Sequence, residues 1–154
     1  MARYVARART SLPVPEAFDL VADMRRFVEW DPGIRSAVQV DGDGAGHAAT
    51  FDLRVAGFPL DFTLRYVTEE YDAPTSASHA RHARHVARHS VFTSVDRVSA
   101  SRDGDGTVVV YDAELRLNGP LRIGDLGLRP VFAWVGGRAD SGLRRALDVE
   151  SVAA

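Results

Sequence analysis

From Ile34 to Leu117 the chain keeps returning to a period of two, and that rhythm restricts its fold more than any other feature. In TVVVYDAELRL (107–117), Thr107, Val109, Tyr111, Ala113, Leu115 and Leu117 share one side. In LDFTLRYVTEE (60–70), Leu60, Phe62, Leu64, Tyr66 and Thr68 oppose Asp61, Thr63, Arg65 and Val67. HAATFDLRV (47–55) sets Ala49, Phe51, Leu53 and Val55 against Thr50, Asp52 and Arg54. Successive side chains of a strand point to opposite faces, so each stretch reads as a half-buried antiparallel strand. Ile34 to Val40 and VFTSVDRVSAS (91–101) are further strands. In Tyr4 to Thr10, Tyr4, Ala6 and Ala8 lie opposite Arg3, Arg7 and Arg9. GDGAG (42–46), RDGDG (102–106) and Asn118-Gly119-Pro120 supply turns.

The period changes at two places. Pro13 and Pro15 end the first strand, and Pro15 suits the first turn of a helix whose apolar stripe is Phe18, Val21 and Ala22. Asp23 can cap a second short helix, MRRFVEW, before Asp31-Pro32-Gly33 turns the chain. From about Pro130 to Asp148, Phe132, Val135, Ala139, Leu143 and Ala146 recur at helical spacing. A long helix of this kind can cover the apolar face of a curved sheet. Gly136, Gly137 and Gly142 lie inside it, each at a cost of roughly 1 kcal/mol relative to alanine. They mark either a close backbone approach or a need for room, and tight helix-on-sheet packing is the simpler of the two.

Composition excludes several chemistries. The 154 residues contain no cysteine, so disulfides and thiolate chemistry are absent. All nineteen basic residues are arginine, which rules out a lysine Schiff base. A net charge of −2 argues against a general nucleic-acid binder. The N-terminal residues lack the apolar run of a signal peptide, and no apolar stretch is long enough to span a membrane. A cytoplasmic, bacterial protein is the expectation, with residues 1–150 as one domain and no cofactor or metal. The oligomeric state is left open.

The pieces VPEAFDLVAD (14–23), Trp30-Asp31-Pro32, YDAP (71–74), TSVDRV (93–98), GDGTVVVYDAEL (104–115), NGPL (118–121) and GLRRAL (142–147) stand in a familiar order. The chain resembles the SRPBCC superfamily (START-like, helix-grip), especially its polyketide cyclase/dehydrase-like branch. The resemblance implies an α+β helix-grip fold: a curved antiparallel sheet wrapped around a long C-terminal helix, with two short helices after the first strand. It also implies an internal apolar cavity for a hydrophobic or aromatic small molecule. Polyketide cyclase/dehydratase-type chemistry and non-catalytic lipid or small-molecule carriage are the alternatives it leaves.

Polar groups on otherwise apolar faces are the candidates for that chemistry. Tyr111 and Tyr66 can put phenols at the cavity wall, as donors or general acids, or be core tyrosines. Asp96 can be a buried base, although such a residue more often pairs with a cross-strand arginine, here Arg97, Arg54 or Arg65. His89 is the histidine nearest a clear strand and the candidate acid/base among its kind. Trp30, Phe51, Leu53, Phe62, Leu64, Tyr66, Val109, Ala113, Phe132, Trp134 and Val135 are the expected ligand-binding surface. Convergence of two or more of Tyr66, Asp96, Tyr111 and His89 would favour catalysis over carriage.

HARHARHVARHS (79–90) holds four of the five histidines. As a helix it would align His79, His82, His85 and His89, whereas in a strand His85 and His89 share a face and His82 takes the other. Metal ligands must converge on one point, and in a strand these histidines fall on mixed faces, so a metal site or a pH-sensitive lid is the lesser alternative. The simplest expectation is a surface insertion, a bulge or loop extension of HAR repetition.

Overall fold

The computed structural model describes residues 1–56, 60–73, 80–124 and 136–148. Seven antiparallel strands form one sheet: β1 (Ala2–Thr10), β2 (Ile34–Asp41), β3 (Thr50–Val55), β4 (Phe62–Tyr71), β5 (Ala80–Arg88), β6 (Phe92–Asp103) and β7 (Gly106–Leu117). Their order is β1-β7-β6-β5-β4-β3-β2. Between β1 and β2 lie α1 (Val14–Ala22), a three-residue 3-10 turn and α2 (Phe27–Trp30). A helix over 136–148 follows the sheet. This is the sheet-and-helix grip that the sequence leads one to expect.

Local chemistry accounts for the joints. Pro15 sits in the first turn of α1, where its missing N–H is no loss. Asp23 accepts a hydrogen bond from the Arg25 N–H at 3.0 Å and so caps the 3-10 turn. Asp31 Oδ1 accepts from the Gly33 N–H at 2.8 Å, fixing the turn into β2.

The core lies between the concave face of the sheet and the helices. Phe18 and Leu20 of α1, Phe27 and Trp30 of α2, and Phe51, Leu53 and Val109 of the sheet are all buried there. Burial of each such side chain is worth roughly 1.5–3 kcal/mol. The helix over 136–148 adds Ala139, Leu143 and Leu147, a stripe of four-residue spacing. On the convex face arginines pair with carboxylates: Arg3 with Asp112, Arg65 with Asp52, Arg116 with Glu114. Pairs this exposed contribute little each.

HARHARHVARHS is the one stretch whose structure departs sharply from expectation. It is no surface insertion: residues 80–88 form β5, the central strand of the sheet, with three strands on either side of it. Arg81, Ala83, His85 and Ala87 are buried, while His82 is exposed. Arg84 and Arg88 pair with Glu69 of β4. Arg81, 2% exposed, is compensated by Asp19 Oδ1 at 3.2 Å, the Asp72 carbonyl at 2.7 Å and the Phe18 ring, whose centroid is 4.2 Å away. Thus an arginine of the repeat fastens α1 to the sheet.

The helix glycines answer differently from one another. A Cβ on Gly142 would run into the Trp30 carbonyl, and one on Gly136 into the Tyr4 ring, so both mark close packing. A Cβ on Gly137 would meet no other described residue within 4 Å. Gly142→Ala is therefore expected to destabilise the protein by about 1–3 kcal/mol through overpacking. Gly137→Ala should stabilise it by up to about 1 kcal/mol. Urea denaturation of the two variants checks the contrast; equal effects would contradict it.

Candidate functional site

Cross-strand register gathers six polar side chains on the concave face. Thr68 of β4 stands opposite His85 of β5, which stands opposite Asp96 of β6. Tyr66 and Ser94 lie one pair along, both opposite Ala87. Tyr111 of β7 is opposite Val98, two residues beyond Asp96. Residues two apart on a strand share a face, so this register turns scattered sequence positions into one patch.

Hydroxyls surround the Asp96 carboxyl. Tyr66 Oη donates to Ser94 Oγ at 3.2 Å, and Ser94 Oγ donates to Asp96 Oδ1 at 3.5 Å. Burial pushes the Asp96 pKa up to about 7, and the charge of Asp31 adds to the rise. Hydrogen bonding from Tyr111, Tyr66 and Ser94 works against that rise. The same burial, followed by the Asp96 charge, lifts both phenols well above their ordinary value, so they remain protonated donors.

Aromatic rings close the patch from the helix layer. Trp30 packs its ring against Tyr111 with centroids 5.1 Å apart, and Phe27 meets Tyr111 at 6.2 Å. Trp30 is 2% exposed, and its indole N–H has no hydrogen-bond partner among the described residues. On its other side Trp30 borders a groove of about 680 Å³ between α2 and the helix over 136–148. Asp31, Pro32, Ser141 and Arg145 also line that groove. Burial raises the Asp31 pKa as well, opposed by its bond from Gly33.

The structure thus brings together Tyr66, Asp96 and Tyr111 of the expected residues. Asp96 does not take an arginine partner. Arg97 instead pairs with Glu114, Arg65 with Asp52 and Arg54 with Asp61. His89 does not join the cluster: it is exposed, its ring stacks on Phe92 and its Nδ1 accepts from the Val91 N–H at 3.3 Å. Phe51, Leu53, Leu64, Val109 and Ala113 are buried in the core, whereas Phe62 is 44% exposed near the end of β4. Phe132, Trp134 and Val135 lie outside the described residues.

Sequence reasoning passed over His85, Thr68 and Ser94. The signal for His85 was its shared parity with Ala83 and Ala87, hidden because an inward arginine and histidine do not look like a core face. Among the described residues no group of three or more metal-binding side chains is placed to hold an ion. No helix among them is long and apolar enough to cross a membrane.

A curved sheet gripping a helix is the START-like, helix-grip fold, and solved structures share it. A START superfamily protein from Mycobacterium smegmatis superposes with a TM-score of 0.67 at 14% identity, covering 99% of both chains. A Thermus thermophilus protein gives 0.71 at 17% identity, over 98% of this chain and 97% of its own. The Zhui aromatase/cyclase from a Streptomyces species gives 0.68 at 13% identity, over 97% and 93%. No curated protein matches the sequence. The chain belongs to the family described as polyketide cyclase / dehydrase and lipid transport, whose model matches residues 1–148. Membership supports ligand binding in general.

The raised Asp96 pKa carries a stability signature. Its folded value of about 7 exceeds the ordinary 3.8, so between those limits the native state holds the proton more tightly than the unfolded chain. The stabilisation is full below about pH 4 and is lost as pH rises through 7. His85, lowered to about 4 by burial, acts oppositely between about 4 and 6.5, because the unfolded chain takes up its proton first. Asp96→Asn removes the first effect alone. Its melting temperature relative to wild type should rise steadily from pH 4 to 7 and then level off; a pH-independent difference would contradict the assignment.

Proposed function

We propose that this protein binds an oxygenated hydrophobic or aromatic molecule between its concave sheet face and its C-terminal helix, and cyclises and dehydrates it by acid–base chemistry at Asp96. One observation carries this reading: a fully buried carboxyl, poised near pH 7, sits among hydroxyls contributed by three strands. A group whose pKa matches the working pH is the most effective proton carrier. Family membership and the fold are consistent with it.

The chemistry balances without a cofactor. The Asp96 carboxylate takes a proton from the carbon beside a ketone, and the resulting enolate carbon bonds to a second carbonyl carbon of the same molecule. The new alkoxide receives a proton, giving an aldol. A further α-proton then passes to the Asp96 carboxylate. The resulting acid delivers that proton to the hydroxyl, which departs as water as the enolate collapses to the double bond and leaves Asp96 ionised again. The phenols of Tyr66 and Tyr111, kept protonated by burial, stabilise developing oxygen charge. Leu53, Leu64, Val109 and Ala113 form an apolar floor, and Trp30 stands between the cluster and the groove.

Heptanetrione, which closes to a methylresorcinol with loss of one water, is a direct probe. Wild-type protein should accelerate formation of the aromatic product, with kcat/KM rising through about pH 7. Asp96→Asn should reduce the rate by roughly 10²–10⁴-fold. Quenching of tryptophan fluorescence by the triketone without any acceleration would overturn catalysis in favour of carriage.

A further inference from the structure

His85 has a geometry that its structural surroundings do not explain. It is fully buried, and its Nδ1 lies 3.0 Å from Thr68 Oγ1, but its Nε2 has no hydrogen-bond partner among the described residues. Buried polar groups are normally satisfied, and an exception calls for a reason. Strand register gives the orientation: Thr68, His85 and Asp96 form a row running across three adjacent strands. Directly opposed side chains have Cβ atoms about 5 Å apart, so the imidazole and the carboxyl are near neighbours on one face. Phe27 covers the row from above, its ring edge-on to the imidazole with centroids 6.2 Å apart.

The ring's charge state follows from what packs around it. Burial lowers its pKa to about 4, outweighing the backbone of Ala22 and the charge of Asp23, both of which favour protonation. The Ala22 backbone is thus near, yet it forms no bond of good geometry with Nε2. A neutral imidazole has one N–H and one lone pair. The Thr68 contact fits either tautomer; in the one where the hydroxyl donates to Nδ1, the proton resides on Nε2, the form taken here for His85.

We infer that His85 is a ligand-binding residue of the same site, anchored by Thr68 at Nδ1 and presenting Nε2–H as the hydrogen-bond donor to a ketone or phenol oxygen of the ligand. This rests on the ligand site proposed above and deepens it. Asp96 handles protons on carbon, while His85, one strand spacing away, holds the oxygen of the adjacent carbonyl. A neutral imidazole polarises that oxygen without surrendering its own proton. The HAR repeat thereby contributes a fastening arginine and a substrate-facing histidine from the same strand.

α-Tetralone and tetralin share a bicyclic shape and differ in one ketone oxygen, so their affinity ratio reads the inferred contact. In His85→Phe the preference for the ketone should fall at least about tenfold relative to wild type, because the donor is gone. His85→Gln, which retains an N–H, should keep part of it. In wild type the ¹⁵N resonance of His85 Nε2 should report a protonated nitrogen and shift with α-tetralone but not with tetralin. An unchanged ratio in both variants, or no Nε2 shift when α-tetralone binds, overturns the role of His85 and leaves the ligand site standing. Failure of wild type to bind either compound overturns the ligand site and this inference together. Should His85→Phe fail to fold, the glutamine variant and the wild-type resonance decide the matter.

Discussion

A carboxyl group removed from water must be compensated by hydrogen bonds or a countercharge, and here the compensation comes from hydroxyls. Tyr66, Ser94 and Tyr111 reach Asp96 from β4, β6 and β7. Hydroxyls stabilise a carboxylate less than an arginine would, so the proton is held to about pH 7 instead of being lost in the acid range. An arginine at the same place would make a salt bridge and favour the charged form. On the convex face Asp52, Asp112 and Glu114 do have arginine partners. One sheet thus keeps two kinds of carboxylate, separated by the alternation of its strands.

The helix layer preserves that separation. Phe27 and Trp30 place aromatic rings over Tyr111 and His85 and so cover the patch from the helix side. Gly142 lets the following helix rest on the Trp30 carbonyl, so the position of the indole is set by backbone contact. Arg81 holds α1 against β5 through Asp19. The guanidinium is buried while the Asp19 carboxylate is half exposed, so the contact ties the outer edge of α1 to the sheet interior. Asp31, in the turn after α2, contributes its charge to the Asp96 environment while lining the outer groove. Helix placement and acid–base chemistry are coupled through these few residues.

Most of this architecture was legible in the sequence. Six of the seven strands announce themselves by alternation, and the proline, Asp23 and Asp31-Pro32-Gly33 signals mark the helix boundaries at β1–α1–α2–β2. β5 was hidden because Arg81 and His85 occupy positions where a core strand normally carries apolar groups. Their polar groups bond in part to Asp19, Asp72 and Thr68, residues from other parts of the chain that no local pattern identifies. The same long-range dependence explains the site. Tyr66, Asp96 and Tyr111 could be singled out by face, but whether Asp96 met a phenol or an arginine depended on register. His89, adjacent to the clearest strand, was the conspicuous histidine; β5 ends at Arg88, and His89 lies outside it beside Phe92.

The central claim is that Asp96 exchanges its proton near neutrality. Carbon-13 NMR of the aspartate side-chain carboxyls, titrated from pH 3 to 9 and assigned by comparison with Asp96→Asn, measures this directly. One carboxyl absent from the variant should titrate near pH 7, well above the ordinary aspartate range. If the resonance lost in the variant instead titrates below about pH 5, Asp96 is an ordinary carboxylate and the acid–base role fails.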